Sequence, residues 1–304
     1  MDLSDLININ KLLNKIKCNN MAFFSSQTIE TFIAHLDGLP KTESYIHVSD
    51  ENKQLWSTIE HIGGENSLAD FNKCILLYLI KNFTERTRKS EHKLPASIIN
   101  QFQINFQRIL FEINSFDDEH YIPSNDLFLK DLGICRLKLI PVGPRLIESN
   151  CGYSRNILLS GGWNQFFKFL YYLIFIERNN NGFYQTHVHL SLVKHFNPEE
   201  IHESYLRIAE LLILNPSVKG LFGASWYYDP ALVKVSPHLA YLRTQQEENG
   251  AWVFYSEPET SENPFSKSKK RKKMFEEGKY QPKIYLCIWP RKSILAYSRS
   301  NQEK

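Results

Sequence analysis

Residues Phe183 to Tyr228 read FYQTHVHLSLVKHFNPEEIHESYLRIAELLILNPSVKGLFGASWYY. Phe183–Val193 alternates as a half-buried strand does. Asn197 can cap a following helix, Pro198 suits its first position, and Glu199 and Glu200 suit the positive end of its dipole. Ile201, Tyr205, Ile208, Ala209, Leu212 and Ile213 then fall on one helical face, and Asn215-Pro216 stops the helix. Val218–Tyr228 reads as a second strand. Strand, helix and strand with short connections make a parallel crossover, which places the chain in the α/β (or α+β) class.

The flanks extend this pattern. Downstream come a helix at Pro237–Gln245, a strand at Ala251–Tyr255, a basic helix at Lys269–Glu277 and a strand at Lys283–Ile288. Upstream, Ile134–Ile140 alternates apolar and basic residues as a strand. Pro141–Pro144 is a turn, Arg145–Glu148 can pair back, and Gly161-Gly162 precedes a helix over Trp163–Ile176. Earlier still the apolar period is helical, at Ser67–Phe83 and Pro95–Ile113. An acidic, proline-containing segment beginning at Asp117 marks the boundary. The expectation is a mainly helical N-terminal region, residues 1–125, and an α/β catalytic domain with a mixed sheet, residues 126–304.

Composition narrows the function. Net charge is +3, from 36 basic and 33 acidic residues, too near neutral to imply nucleic acid. Cys18, Cys74, Cys135, Cys151 and Cys287 are dispersed and odd in number, which suits reduced thiols in a cytosol. The most apolar run, Phe166–Ile176, is about half the length of a membrane span and contains Lys168. The N-terminus has no secretory signal pattern. A cytoplasmic protein is expected, with export by another signal left open, acting on a small-molecule or protein substrate. Aromatic residues make up 13% of the chain, a surplus that suits a packed core or a binding surface.

Three constellations could carry chemistry. His187, His189 and His195 share strand parity; His187 and His189 would stand about 7 Å apart, while His195 lies about 20 Å from His189. Such a pair could share a metal only with further ligands, for which Asp229 or His238 would serve; no metal is assigned. Gly220–Pro230 combines small residues with Ser225, Tyr227 and Asp229 at the carboxyl end of a parallel strand, where α/β proteins bind ligands. Ser236–Arg243 offers Tyr241 as a general acid and Arg243, with Arg136, as partners for an anionic ligand. Lys269–Lys273 fits a solvated helix face paired to Glu276 and Glu277, with phosphate, nucleic-acid or importin binding as the alternative.

The order of elements over residues 183 to 290, with HLAYLRTQQEENGAWVFYS at 238–256, resembles the second half of a GCN5-related N-acetyltransferase. The resemblance implies acyl transfer from acyl-coenzyme A, with Tyr241 protonating the thiolate and His187 or His189 receiving the proton of an amine. His195–Glu200 departs from that family's Gly-rich pyrophosphate loop. It has no glycine, a proline lacking N–H, and two carboxylates at the helix end. Arg136 on a strand and Glu257-Pro-Glu259 after one loosely match an NAD-dependent ADP-ribosyltransferase instead. A non-catalytic protein-binding module is the third reading. The candidate catalytic residues are thus His187, His189, Asp229 and Tyr241, and the candidate binding residues Arg136, Ser225, Tyr227 and Arg243.

Overall fold

The described residues of the computed structural model are 3–19, 25–115, 117–177 and 181–302. They form two units: Met1–Val142 with His189–Ser191, and Gly143–Val188 with Leu192–Lys304. The division falls after Val142, beyond the acidic segment that the sequence marks as a boundary. Residues 126–141 fold as a helix and a short strand that pack on the N-terminal helices. The Cys18 side chain lies outside the described ones.

The first unit runs α1 (Leu3–Asn19), α2 (Ser26–Asp37), α3 (Asp50–Lys81), α4 (Phe83–Lys89), α5 (Ala96–Ser115), α6 (Asp126–Cys135) and β1 (Leu139–Pro141). Ser25 and Ser49 cap α2 and α3 by accepting the N–H groups of Thr28 and Asn52. Gly64, at φ 73°, bends α3. Phe32, Phe71, Phe102 and Phe128 are buried where the apolar helical faces meet. Polar groups inside are paired: Trp56 donates to Asn72 at 2.8 Å, and Asn72 to the Tyr121 carbonyl at 2.7 Å.

The strand expected at Ile134–Ile140 is corrected. Residues 126–135 are helix α6, Arg136 is its C-cap, and only Leu139–Pro141 is extended. Leu137 takes φ 63°. Lys138 N–H donates to Gly133 O, and Leu137 N–H to Ile134 O, a left-handed helix stop usually made by glycine.

The second unit carries β2 (Arg145–Gly152), α7 (Ile157–Ser160), α8 (Gly162–Tyr171), β3 (Asn181–Val188), α9 (Pro198–Leu214), β4 (Gly220–Ser225), α10 (Leu232–Val235), α11 (Tyr241–Glu247), β5 (Trp252–Pro258), α12 (Lys269–Glu276), β6 (Lys283–Pro290) and α13 (Arg291–Gln302). Its strands lie in the order β2-β3-β4-β6-β5. β3 and β4 are parallel; β2–β3, β4–β6 and β5–β6 are antiparallel. The mixed sheet and the β3–α9–β4 crossover are as the sequence implies. Asn197 caps α9 by accepting Glu200 N–H at 2.9 Å.

The sheet has two covered faces. Phe183, Phe222, Phe254, Leu286 and Ile288 pack with Phe169 and Tyr172 of the α8 segment. On the other face Tyr205 of α9, Trp289 of β6 and Tyr297 of α13 meet edge to face at 5.0 and 5.3 Å. The aromatic surplus is therefore largely core. The outer side of the α8 segment nevertheless exposes Trp163, Phe167, Tyr171 and Phe175.

Gly220 holds β4 against β6. Its φ is 152°, and a Cβ there would lie 2.3 Å from the Trp289 carbonyl oxygen. Gly220→Ala is expected to destabilise by about 3 kcal/mol through backbone strain and overpacking. Gly278→Ala, at φ 68° with open space, should cost about 1 kcal/mol. Urea midpoints of the two variants check the ranking.

Candidate functional site

The parallel ladder between β3 and β4 is short. Tyr184 pairs with Leu221 and Gln185 with Phe222. Past these, β3 continues against β2 as far as Val188 opposite Arg145, and β4 continues against β6 as far as Ser225 opposite Tyr285. Residues 186–188 and 223–225 have no ladder to one another in that register. The parallel ladder thus stops short of the carboxyl ends of its strands, the place where α/β sheets bind ligands. Gly223 marks a close approach between the two strands. The Thr186 and Tyr228 hydroxyls lie 2.2 and 2.9 Å from where its Cβ would be.

On the face shared with Phe183, His187 Nε2 lies 3.1 Å from Glu148 Oε2. Registers Leu146–His187 and Glu148–Gln185 put the two side chains on one face. The Glu148 side chain is 3% exposed and that of His187 is 16% exposed. A buried carboxylate fixes the orientation of the imidazole, while the imidazole itself keeps an approach from solvent. Sequence spacing missed Glu148. The available signal was its parity with Leu146 in a strand able to pair with β3.

The opposite face carries Arg145, 3% exposed at the end of β2. Its Nη1 donates to Tyr228 at 3.4 Å, and its guanidinium lies 6.0 Å from the Phe196 ring and 5.6 Å from that of Tyr205. Tyr205 accepts from Gln246 at 2.7 Å. Tyr241, at the start of α11, has a buried hydroxyl without a hydrogen-bond partner. Burial pushes its phenol above the usual value, against the nearby positive charge of Arg145.

The other sequence candidates are dispersed. Ser225 ends β4 and accepts Tyr227 N–H at 3.2 Å. Tyr227 stacks on Trp226 at 4.1 Å and on Phe196 at 6.5 Å. Asp229 is buried and accepts the Ala231 and Lys283 N–H groups at 2.9 and 3.3 Å. Burial raises its pKa, partly offset by those donors. It holds a turn. Arg243 pairs with Glu247 one turn along α11 at 2.8 Å. Arg136 sits in the first unit and donates to Leu36 O at 2.9 Å and His47 O at 3.4 Å, so the strand position required by the ADP-ribosyl reading is not where it stands. Glu257 is exposed, and Glu259 accepts Ser261 N–H. In the basic run, Arg271 is buried under Trp226 and bound to Ser236 and Pro264 O, while Lys269, Lys270, Lys272 and Lys273 face solvent.

His189 does not share the face of His187. β3 ends at Val188, and His189 belongs to the first unit, fully buried. Its Nε2 lies 3.3 Å from Asp131, and its Nδ1 accepts Ser191 N–H. His195 and His238 are exposed. Around Asp131 the first unit buries a charge cluster. Arg108 bonds Asp131 and Glu112 at 2.5 Å each, and His120 lies 3.7 Å from Asp131. Burial raises the Asp131 carboxyl, but Arg108, His120 and His189 outweigh it and hold the group below the usual carboxylate range. Glu112, His120 and Asp131 are close enough to ligate one metal ion. The guanidinium of Arg108 already supplies the cation between the two carboxylates. No helix of the described residues is long and apolar enough to cross a membrane.

No protein-family model matches the sequence, and no curated protein matches it. Among solved structures the chain is similar to an acyltransferase in complex with decanoyl-CoA, at TM-score 0.43 and 11% identity over 72% of this chain and 66% of that one. The chain thus spans just under two thirds of that structure, and the resemblance is a distant one of fold.

Proposed function

We propose that the second unit is an acyltransferase that moves an acyl group from a thioester to an amine at the carboxyl ends of β3 and β4. The observation that supports it is the His187–Glu148 pair, a base with its orienting carboxylate, standing where the parallel ladder stops. The amine nitrogen attacks the thioester carbonyl as His187 takes its proton. The C–N bond forms, the C–S bond breaks, and the sulfur leaves as thiolate. A thiol of pKa about 8.5 is a competent leaving group, and the proton held on His187 returns to it or to solvent. Strand residues 186–188 and 223–225 carry backbone groups without a mutual ladder, which suit the carbonyl and amide dipoles of an acyl-pantetheine arm.

The donor is taken to be a coenzyme A thioester held by that arm rather than by its nucleotide. The N-terminus of α9 is occupied by its own Asn197 cap and carries Glu199 and Glu200, which repel a pyrophosphate. Thiol release from acetyl- and long-chain acyl-coenzyme A, with a panel of primary amines, tests the reaction. Release should depend on the amine, and acyl-pantetheine should retain kcat/KM within about tenfold, since no strong anion contact is lost. Absence of thiol release with every pair would refute acyl transfer. A far larger drop with acyl-pantetheine would show instead that the nucleotide is gripped.

A further inference from the structure

Arg145 has an environment that a structural arginine does not need. It is 3% exposed, and among the described residues it has no carboxylate partner. Its one hydrogen bond is the 3.4 Å contact to the Tyr228 hydroxyl, and its Nε has none. Every other arginine of the described residues that is as deeply buried is bound more fully. Arg136 donates to two backbone carbonyls, and Arg271 to Pro264 O and Ser236. Cation–π contact with Phe196 and Tyr205 offsets only part of the cost of removing a guanidinium from water. A second polar group, within reach of the Arg145 charge, is also unsatisfied: the buried hydroxyl of Tyr241. Arg145 belongs to the sheet face opposite His187 and stands by register at the carboxyl end of β3.

We propose that Arg145 and Tyr241 form the anion-binding end of a site for a small aryl or alkyl carboxylate, entered past the stacked Phe196–Tyr227 pair. One guanidinium with phenolic donors and no second cation matches a single negative charge. Its planar fork matches a carboxylate bidentately. Arg271, the other cation that acts on Tyr227, is committed to Pro264, Ser236 and the Trp226 ring, so a phosphate dianion would lack its second counter-charge. The half-buried rings of Phe196 and Tyr227 supply apolar walls for the body of the ligand. Neither ring is fully buried: Phe196 follows the 3-10 turn Leu190–His195, and Tyr227 lies in the turn Trp226–Tyr228. Binding at this site requires no acyl transfer, so the two readings fail separately.

The experiment titrates the full chain with sodium benzoate, benzyl alcohol and inorganic phosphate, following the melting temperature and calorimetric heat. Benzoate should raise the melting temperature in a saturable way, benzyl alcohol should not, and phosphate should bind more weakly than benzoate. Arg145→Gln should weaken benzoate about tenfold or more, the loss of a charge-assisted hydrogen bond. Tyr241→Phe removes only an unpartnered hydroxyl, so it should fold normally and still weaken benzoate severalfold. It keeps the test valid should Arg145→Gln not fold. No saturable response to benzoate, phosphate binding tighter than benzoate, or unchanged benzoate affinity in Tyr241→Phe would each overturn the proposal.

Discussion

Asp131→Ala should cost the protein about 3–5 kcal/mol, the loss expected when one partner of a buried charge cluster is removed. Arg108, His120 and His189 all face this carboxylate, and it is 1% exposed. Removing it leaves Arg108 with Glu112 as its one carboxylate among the described residues and His189 with none. Asp126→Ala is the control. Asp126 pairs with Lys130 from an exposed position, and such a pair is worth under about 1 kcal/mol. The pH dependence has a definite sign. The folded pKa of Asp131 lies below its unfolded value of about 3.9, so its stabilising effect is present above that pH and is lost as pH falls through the folded value. Urea midpoints at pH 7 and pH 3 should show the gap between wild type and Asp131→Asn narrowing in acid. A gap that stays constant would mean that the carboxylate charge contributes little.

His187→Ala should lower kcat for amine-dependent thiol release by about 10²–10⁴, the range of a lost general base. Glu148→Gln keeps the shape and a hydrogen-bonding oxygen but removes the carboxylate charge beside the imidazole. It should lower kcat by about tenfold or more with little change in KM, because the effect arises in the transition state. The His187 side chain is partly open, so melting of His187→Ala should shift by no more than a surface substitution does. Full activity in Glu148→Gln would remove the carboxylate from the mechanism. An equal fall in melting temperature and activity for His187→Ala would make the histidine a packing residue.

The β3–α9–β4 unit was legible because each of its boundaries has a local cause. Asn197 and Pro198 start the helix, Asn215-Pro216 ends it, and the apolar period changes from 2 to 3.6 between them. The site was legible only by half. Parity in a strand singles out His187, but its partner Glu148 lies 39 residues earlier on another strand, and spacing alone does not reveal strand pairing. The same parity misassigns His189, because β3 ends one residue before it and Asp131 draws it into a different core. Arg136 and Arg145 look alike in sequence, each beside apolar residues. Only the fold shows that two backbone carbonyls bind the first and that the second lacks such partners. The stop of α6 was hidden for a different reason. It uses a left-handed leucine, Leu137, held while Lys138 donates to the carbonyls of Pro40, Lys41 and Glu43.

The first unit closes with three residues that the chain delivers late. His189–Ser191 follow a strand, two helices and another strand of the second unit, yet they belong with Met1–Val142. Translation proceeds at about 5–20 residues per second, so the nascent chain presents Arg108, Glu112, His120 and Asp131 seconds before their last partner exists. Until His189 leaves the ribosome, the buried carboxylate of Asp131 is one donor short and the N-terminal core is unfinished. Vectorial synthesis therefore couples the two units in time. The helical half cannot reach its final state ahead of the first strands of the other half.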